Sequence, residues 1–106
     1  MIYLLNSAVL AAGAYGTYRF SAATPDDLAR FVALVPVSRI GYAETLDYIY
    51  RVTGVRLPLS RELILMAPGD EAMVVRLRYR VDHASKGAPQ HPADEDWEIA
   101  YLTRLS

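Results

Sequence analysis

Ala72-Met73-Val74-Val75-Arg76-Leu77-Arg78-Tyr79-Arg80-Val81 is the stretch that decides the fold. Apolar, aromatic and arginine residues follow one another here with a period of two, so the segment predicts the longest strand of the molecule. Met73, Val75, Leu77 and Tyr79 fall on one face, and Val74, Arg76, Arg78 and Arg80 on the other. Upstream, Ala67-Pro68-Gly69-Asp70 reads as a turn and Arg61 to Met66 as another strand. Downstream, Asp82 to Asp96 holds Gly87, Pro89 and Pro92 with no apolar periodicity. A loop of that length inside a compact domain is a functional lid or a moving segment. Trp97 to Leu105 alternates again as the last strand, with Trp97, Ile99, Tyr101 and Thr103 against Glu98, Ala100, Leu102 and Arg104.

Towards the N-terminus, Ile2 to Leu5 is a short apolar run that predicts a buried first strand. Met1 to Ala12 lacks the positive start of a secretory leader, Asn6-Ser7 interrupts it, and it is too short to span a bilayer. Gly13 and Gly16 punctuate a turn, and Tyr15 to Ser21 reads as a second strand hairpinned to the first. Thr24-Pro25-Asp26-Asp27 starts a helix: Thr24 caps, Pro25 suits the first position, and the two carboxylates face the positive end of the dipole. Leu28, Phe31, Val32 and Val35 make its inner face, and Pro36 stops it. Ser38 to Gly41 reads as a connector. A second helix runs from about Tyr42 to Thr53, with Ala43, Leu46, Ile49, Tyr50 and Thr53 inside and Gly54 as its C-terminal cap.

The pattern is an α/β class: one domain over residues 1–106, with a mixed sheet of about five strands and two main helices. With so few helices only one sheet face is covered, and the bare face predicts a homodimer. The 106 residues are too few for two cores. Apolar residues make up 53% and the net charge is −1, so the chain is globular and has no broad basic surface for duplex nucleic acid. Ten of its eleven cationic side chains are arginine, the better planar partner for phosphate. With no cysteine, disulfides, thiolate nucleophiles and Cys-based zinc sites are excluded, which fits a cytoplasmic protein.

Four features invite a functional reading. Arg76, Arg78 and Arg80 lie on one strand face, either as a phosphate-binding strip or as a solvated surface whose arginine stems cover apolar neighbours. Ser38-Arg39-Ile40-Gly41-Tyr42 places a glycine before a helix N-terminus, where backbone N–H groups attract anions; an ordinary helix entry has the same pattern. His83 follows Arg80 by three residues and could present an imidazole to a phosphate held there. His91 reads as an exposed loop residue, and the pair matches no metal signature. Asn6 and Ser7 end the first strand, a position that serves ligands or a plain turn. No phosphate-cradling glycine fingerprint or nucleophile elbow is present.

Tyr3-Leu4-Leu5-Asn6-Ser7-Ala8, Gly16-Thr17-Tyr18-Arg19-Phe20, Val37-Ser38-Arg39-Ile40-Gly41, Glu44-Thr45, Pro68-Gly69-Asp70, Val75 to Arg80 and Leu102-Thr103-Arg104-Leu105 together resemble a family of small proteins from archaeal viruses, phages and mobile elements. Some members are ring nucleases acting as type III anti-CRISPR proteins, and others sit beside CRISPR systems in bacteria. The resemblance implies a homodimer that binds one cyclic tetra-adenylate across its interface. It implies cleavage without metal or cofactor, by 2′-hydroxyl attack on the adjacent phosphate to leave a 2′,3′-cyclic phosphate. Membrane and polymeric nucleic acid are not implied partners.

Carried over residue by residue, the resemblance makes Asn6, Ser7, Ile40 and Gly41 ligand-binding, and points to Arg80, His83 and Tyr42 as catalytic; the helix entry and the arginine strip add Ser38 and Arg78 as ligand-binding candidates. Two positions depart from the family. Its helix entry reads Ile-Gly-His, and here Ile40-Gly41-Tyr42; its Arg is followed three residues later by Glu, and here Arg80 by His83. A phenol ionises near pH 10 and imidazole near 6.5, so tyrosine exchanges protons poorly at neutrality but still donates a hydrogen bond. Three expectations follow: a ring nuclease whose imidazole has moved to His83, a binder of the ring that does not cut it, or a structural or nucleic-acid-binding dimer.

Overall fold

The computed structural model describes residues 1–8, 12–78 and 93–106. Five strands form one mixed sheet: β1 (Ile2–Leu5), β2 (Tyr18–Ala22), β3 (Val37–Arg39), β4 (Glu71–Leu77) and β5 (Trp97–Arg104), in the order β2-β5-β4-β1-β3. Two helices, α1 (Pro25–Val32) and α2 (Ala43–Thr53), flank β3 in the chain. β1 is parallel to both β3 and β4, and β5 is antiparallel to β4 and β2. The expected single α/β domain with a mixed five-stranded sheet is therefore observed. No helix among the described residues is long and apolar enough to cross a membrane.

Helix α1 begins as its sequence dictates. The Thr24 hydroxyl accepts from the Asp27 N–H at 3.1 Å, and the Asp27 carboxylate accepts from the Thr24 N–H at 2.9 Å, a reciprocal cap. It ends earlier than expected, at Val32. Val35 turns to a φ of +57° and stands 85% exposed, so it does not belong to the inner face. Pro36 disfavours helical backbone at the residue before it, so the last apolar repeat cannot be wound inward. Helix α2 ends where expected, with Gly54 at a φ of +74° and its N–H bonded to the Tyr50 carbonyl. Its buried side is set by Thr45, Leu46, Tyr48 and Ile49; Ala43 and Tyr50 are exposed. The helix is rotated to stack Tyr48 on Trp97, with ring centroids 4.7 Å apart.

The parallel strands place Leu4, Met73 and Val75 against both helices, where they join Leu28, Phe31, Ile40, Ile49 and Trp97 in the main core. The opposite face carries a second cluster, Tyr3, Ala72, Val74, Leu102 and Met66, with Ile64 packed on it. This changes three expectations. Arg61 to Met66 forms no strand; it is an extended strap whose Ile64 and Met66 cover the second sheet face. That face is thus partly closed by the chain itself, and the part of it under the strap is not bare. Tyr15 to Ser21 is not hairpinned to β1: strand β2 starts at Tyr18 and pairs with β5, at the far side of the sheet. Ser38 and Arg39, expected as part of a connector, belong with Val37 to the edge strand β3. The choice of partner is made by long-range burial, which a local period does not report.

Candidate functional site at the carboxyl edge of the parallel strands

Because β1, β3 and β4 run in parallel, their carboxyl ends meet on one edge of the sheet. Open sheets of this kind offer a crevice there. A cavity of about 450 Å³ occupies the position. Its walls are Leu5 at the end of β1 with Asn6 and Ser7 beyond it, Arg39 at the end of β3 with Gly41 and Tyr42 beyond it, and Arg61 to Ile64 of the strap.

The cavity is held together by polar contacts centred on Gly41. The Gly41 N–H donates to Asn6 Oδ1 at 2.9 Å, and the Gly41 carbonyl accepts from Arg61 Nε at 3.1 Å. The Ser60 N–H donates to the Ile40 carbonyl at 2.9 Å and ties the strap to the end of β3. A Cβ at Gly41 would sit 2.9 Å from Arg61 Cγ, so the glycine is required by the close approach of the strap. Tyr42 is the residue before α2 and makes no side-chain cap; its ring is 51% exposed at the cavity rim. Arg39 stands half-sheltered on the sheet face that bears the strap, opposite Leu5 in the β1–β3 register. Its Nη1 donates to the Ser38 carbonyl at 3.0 Å, and its Nη2 faces the Glu62 carboxylate at 3.3 Å.

Of the residues singled out in the sequence, Asn6, Ser7, Gly41 and Tyr42 share this cavity. Ser38 and Ile40 do not line it. Ser38 pairs with Leu4 and so points to the helix side, where its hydroxyl is buried without a hydrogen-bond partner. Ile40 is fully buried in the main core. The backbone groups expected to meet a ligand are already engaged, Ile40 by Ser60 and Gly41 by Asn6 and Arg61.

Arg78 lies beyond the end of β4, donates from Nε to the Glu95 carbonyl at 3.1 Å, and reaches Glu98 at 3.7 Å. Arg76 makes a closer pair with the same Glu98, 2.8 Å, and places its guanidinium 5.3 Å from the Phe20 ring centroid. Two arginines of the expected strip are therefore shared with one carboxylate. Arg80, His83 and His91 lie outside the described residues. Sequence reading missed Arg39, Arg61 and Glu62. Only the route of the strap brings Arg61 and Glu62 to β3, and no period of two or 3.6 announces that.

The fold and cavity define a small α/β protein with a crevice at the carboxyl edge of a parallel β4-β1-β3 unit. Residues 2–91 match the STIV B116-like family, and the chain belongs to that family. In three dimensions it is similar to B116 of Sulfolobus turreted icosahedral virus, with a TM-score of 0.72 and 15% identity over 97% of this chain and 98% of that one. At that identity the likeness shows a common fold. No curated protein matches the chain.

Proposed function

We propose that this protein binds a cyclic oligoadenylate, cyclic tetra-adenylate in the first instance, and opens the ring as a metal-independent ring nuclease of type III CRISPR defence, acting in the cytoplasm. The observation that carries the reading is the cavity: Asn6, Ser7, Gly41 and Tyr42, four positions assigned to the ligand by resemblance, line it together with two arginines, Arg39 and Arg61. Guanidinium groups lining a crevice suit phosphodiester oxygens.

The cavity volume, about 450 Å³, is in the range that encloses one drug-sized molecule. It is therefore suited to one part of a four-nucleotide ring, and the rest needs a second surface. A twofold-related copy supplies an identical one, which is the reading's reason for a homodimer. In this reading the ribose 2′-hydroxyl gives its proton to solvent water as its oxygen bonds to the adjacent phosphorus, and the bond from phosphorus to the 5′-oxygen breaks. Arg80 stabilises the charge developing on the phosphoryl oxygens, His83 protonates the leaving 5′-oxygen, and Tyr42 donates a hydrogen bond from the rim.

A second reading is favoured by one specific observation: tyrosine stands at the helix entry where the resembling family has histidine. The protein would then hold the ring intact, as a sponge or sensor. Mass analysis of cyclic tri-, tetra- and hexa-adenylate after incubation with the protein in chelator separates the two. The enzyme reading expects linear products ending in 2′,3′-cyclic phosphate. It also expects His83→Ala to lose turnover while ring affinity stays within about tenfold, roughly 1.4 kcal/mol. Rings retained intact but bound leave the second reading; rings neither bound nor cut reject both.

A further inference from the structure

One of the two cavity arginines, Arg39, is paired with a carboxylate, Glu62, to which the proposed chemistry gives no part. A guanidinium presents its side-on fork through Nε and Nη2, the pair that best matches two oxygens of one anion. At Arg39 this fork is half occupied. Nη2 faces Glu62 Oε2 at 3.3 Å, while Nε is buried and makes no hydrogen bond. Leaving a buried charged donor unmatched is costly, so the site favours an acceptor able to take both nitrogens. Glu62 does not meet that demand. Its side chain is 75% exposed, and it reaches Arg39 from the strap, a segment with no regular secondary structure. An ion pair with one contact and one exposed partner holds weakly.

We infer that Arg39 is the anion anchor of the cavity and that Glu62 is a resident competitor, a carboxylate that occupies the anchor until a phosphodiester displaces it. This deepens the ring-binding reading and rests on it for the identity of the ligand. The incoming phosphoryl group takes Nε and Nη2 together with its two non-bridging oxygens, and Glu62 swings into solvent. The exchange makes binding selective: a weakly held neutral or monodentate ligand does not repay the loss of the Arg39–Glu62 pair. Selectivity built by a displaced competitor raises the threshold for every ligand and favours the one that makes both bonds.

The test is a double-mutant cycle read by ring affinity, because removing one negative charge near a cavity tightens any anion to some extent. Glu62→Gln is exposed and keeps the fold. It is expected to bind cyclic tetra-adenylate tighter than wild type by up to about tenfold. Arg39→Lys keeps the charge and loses the fork, and is expected to weaken binding by about tenfold or more. In the Arg39→Lys background, Glu62→Gln is expected to gain clearly less, the part that any lost negative charge would give. A gain from Glu62→Gln that is equal with and without Arg39 overturns the inference, as does no gain at all.

A second arm is independent of the ring. Inorganic phosphate is titrated while the Arg39 Nε–H resonance is followed by NMR. A saturable shift, reached at lower phosphate in Glu62→Gln than in wild type, supports the anchor even if no cyclic nucleotide binds. No shift in either protein overturns it. Ring binding without any of these differences preserves the proposed function and rejects the anchor alone.

Discussion

At Gly41 three neighbours meet one residue that has no side chain. Asn6 takes its N–H, Arg61 takes its carbonyl, and Arg61 Cγ lies where a Cβ would intrude at 2.9 Å. The sequence offers a different reason for a glycine before a helix, namely access of a ligand to backbone N–H groups. In the folded chain the N–H faces Asn6 and the empty Cβ position is used by the strap. Gly41→Ala is therefore expected to destabilise the protein by about 1–3 kcal/mol, the usual cost of overpacking a fitted contact. Urea denaturation measures it. A change within about 0.5 kcal/mol, the range of a surface substitution, would mean that the strap yields freely and that the contact holds nothing in place.

Helix α1 shows how much of an element is local. Thr24, Pro25 and Asp27 act within one turn, so their pattern predicts the start of the helix correctly. Hydrogen bonding from the Thr24 backbone, first among several causes, holds the Asp27 carboxyl below its ordinary value. A depressed carboxyl contributes stability that is present above the unfolded value, about 3.9, and is lost as pH falls through the lower folded value. The melting temperature is expected to drop in acid for this reason, and Asp27→Asn to show a smaller drop between pH 5 and pH 2 than wild type. Parallel curves for the two proteins would remove Asp27 from the acid response. The end of the same helix is not given by the apolar period: Val35 continues the repeat, yet it stands before Pro36 at a φ of +57° and is exposed.

At the scale of the whole molecule, the sheet is buried on both faces at its centre. Ala72, Met73, Val74 and Val75 are each completely inaccessible. Strict alternation of Met73 and Val75 against Val74 suggests one buried and one open face, but β4 is a central strand with a helix layer on one side and the strap on the other. Met73→Ala is expected to cost about 2–5 kcal/mol through lost burial and a residual cavity. Leu63, on the outer side of the strap, is 90% exposed, so Leu63→Ala is expected to stay within about 0.5 kcal/mol. Denaturant midpoints for the two variants check both values. A comparable loss in Leu63→Ala would place that leucine in a buried contact, as a second copy of the chain would provide.

The sequence by itself determined the α/β class, four of the five strands, both helices with the start of α1 and the Gly54 end of α2, and the strand identity of residues 72–77. These rest on interactions within a few residues, where propensity, capping and period act directly. It also marked Asn6, Ser7, Gly41 and Tyr42. Only the tertiary structure decided that β2 pairs with β5, that residues 37–39 form an edge strand, and that residues 61–66 cross the second face as a strap. Those outcomes depend on which apolar surfaces meet across long stretches of chain. The same crossing brings Arg61 and Glu62 to Arg39, so the charge of the cavity exists only once the chain has closed on itself.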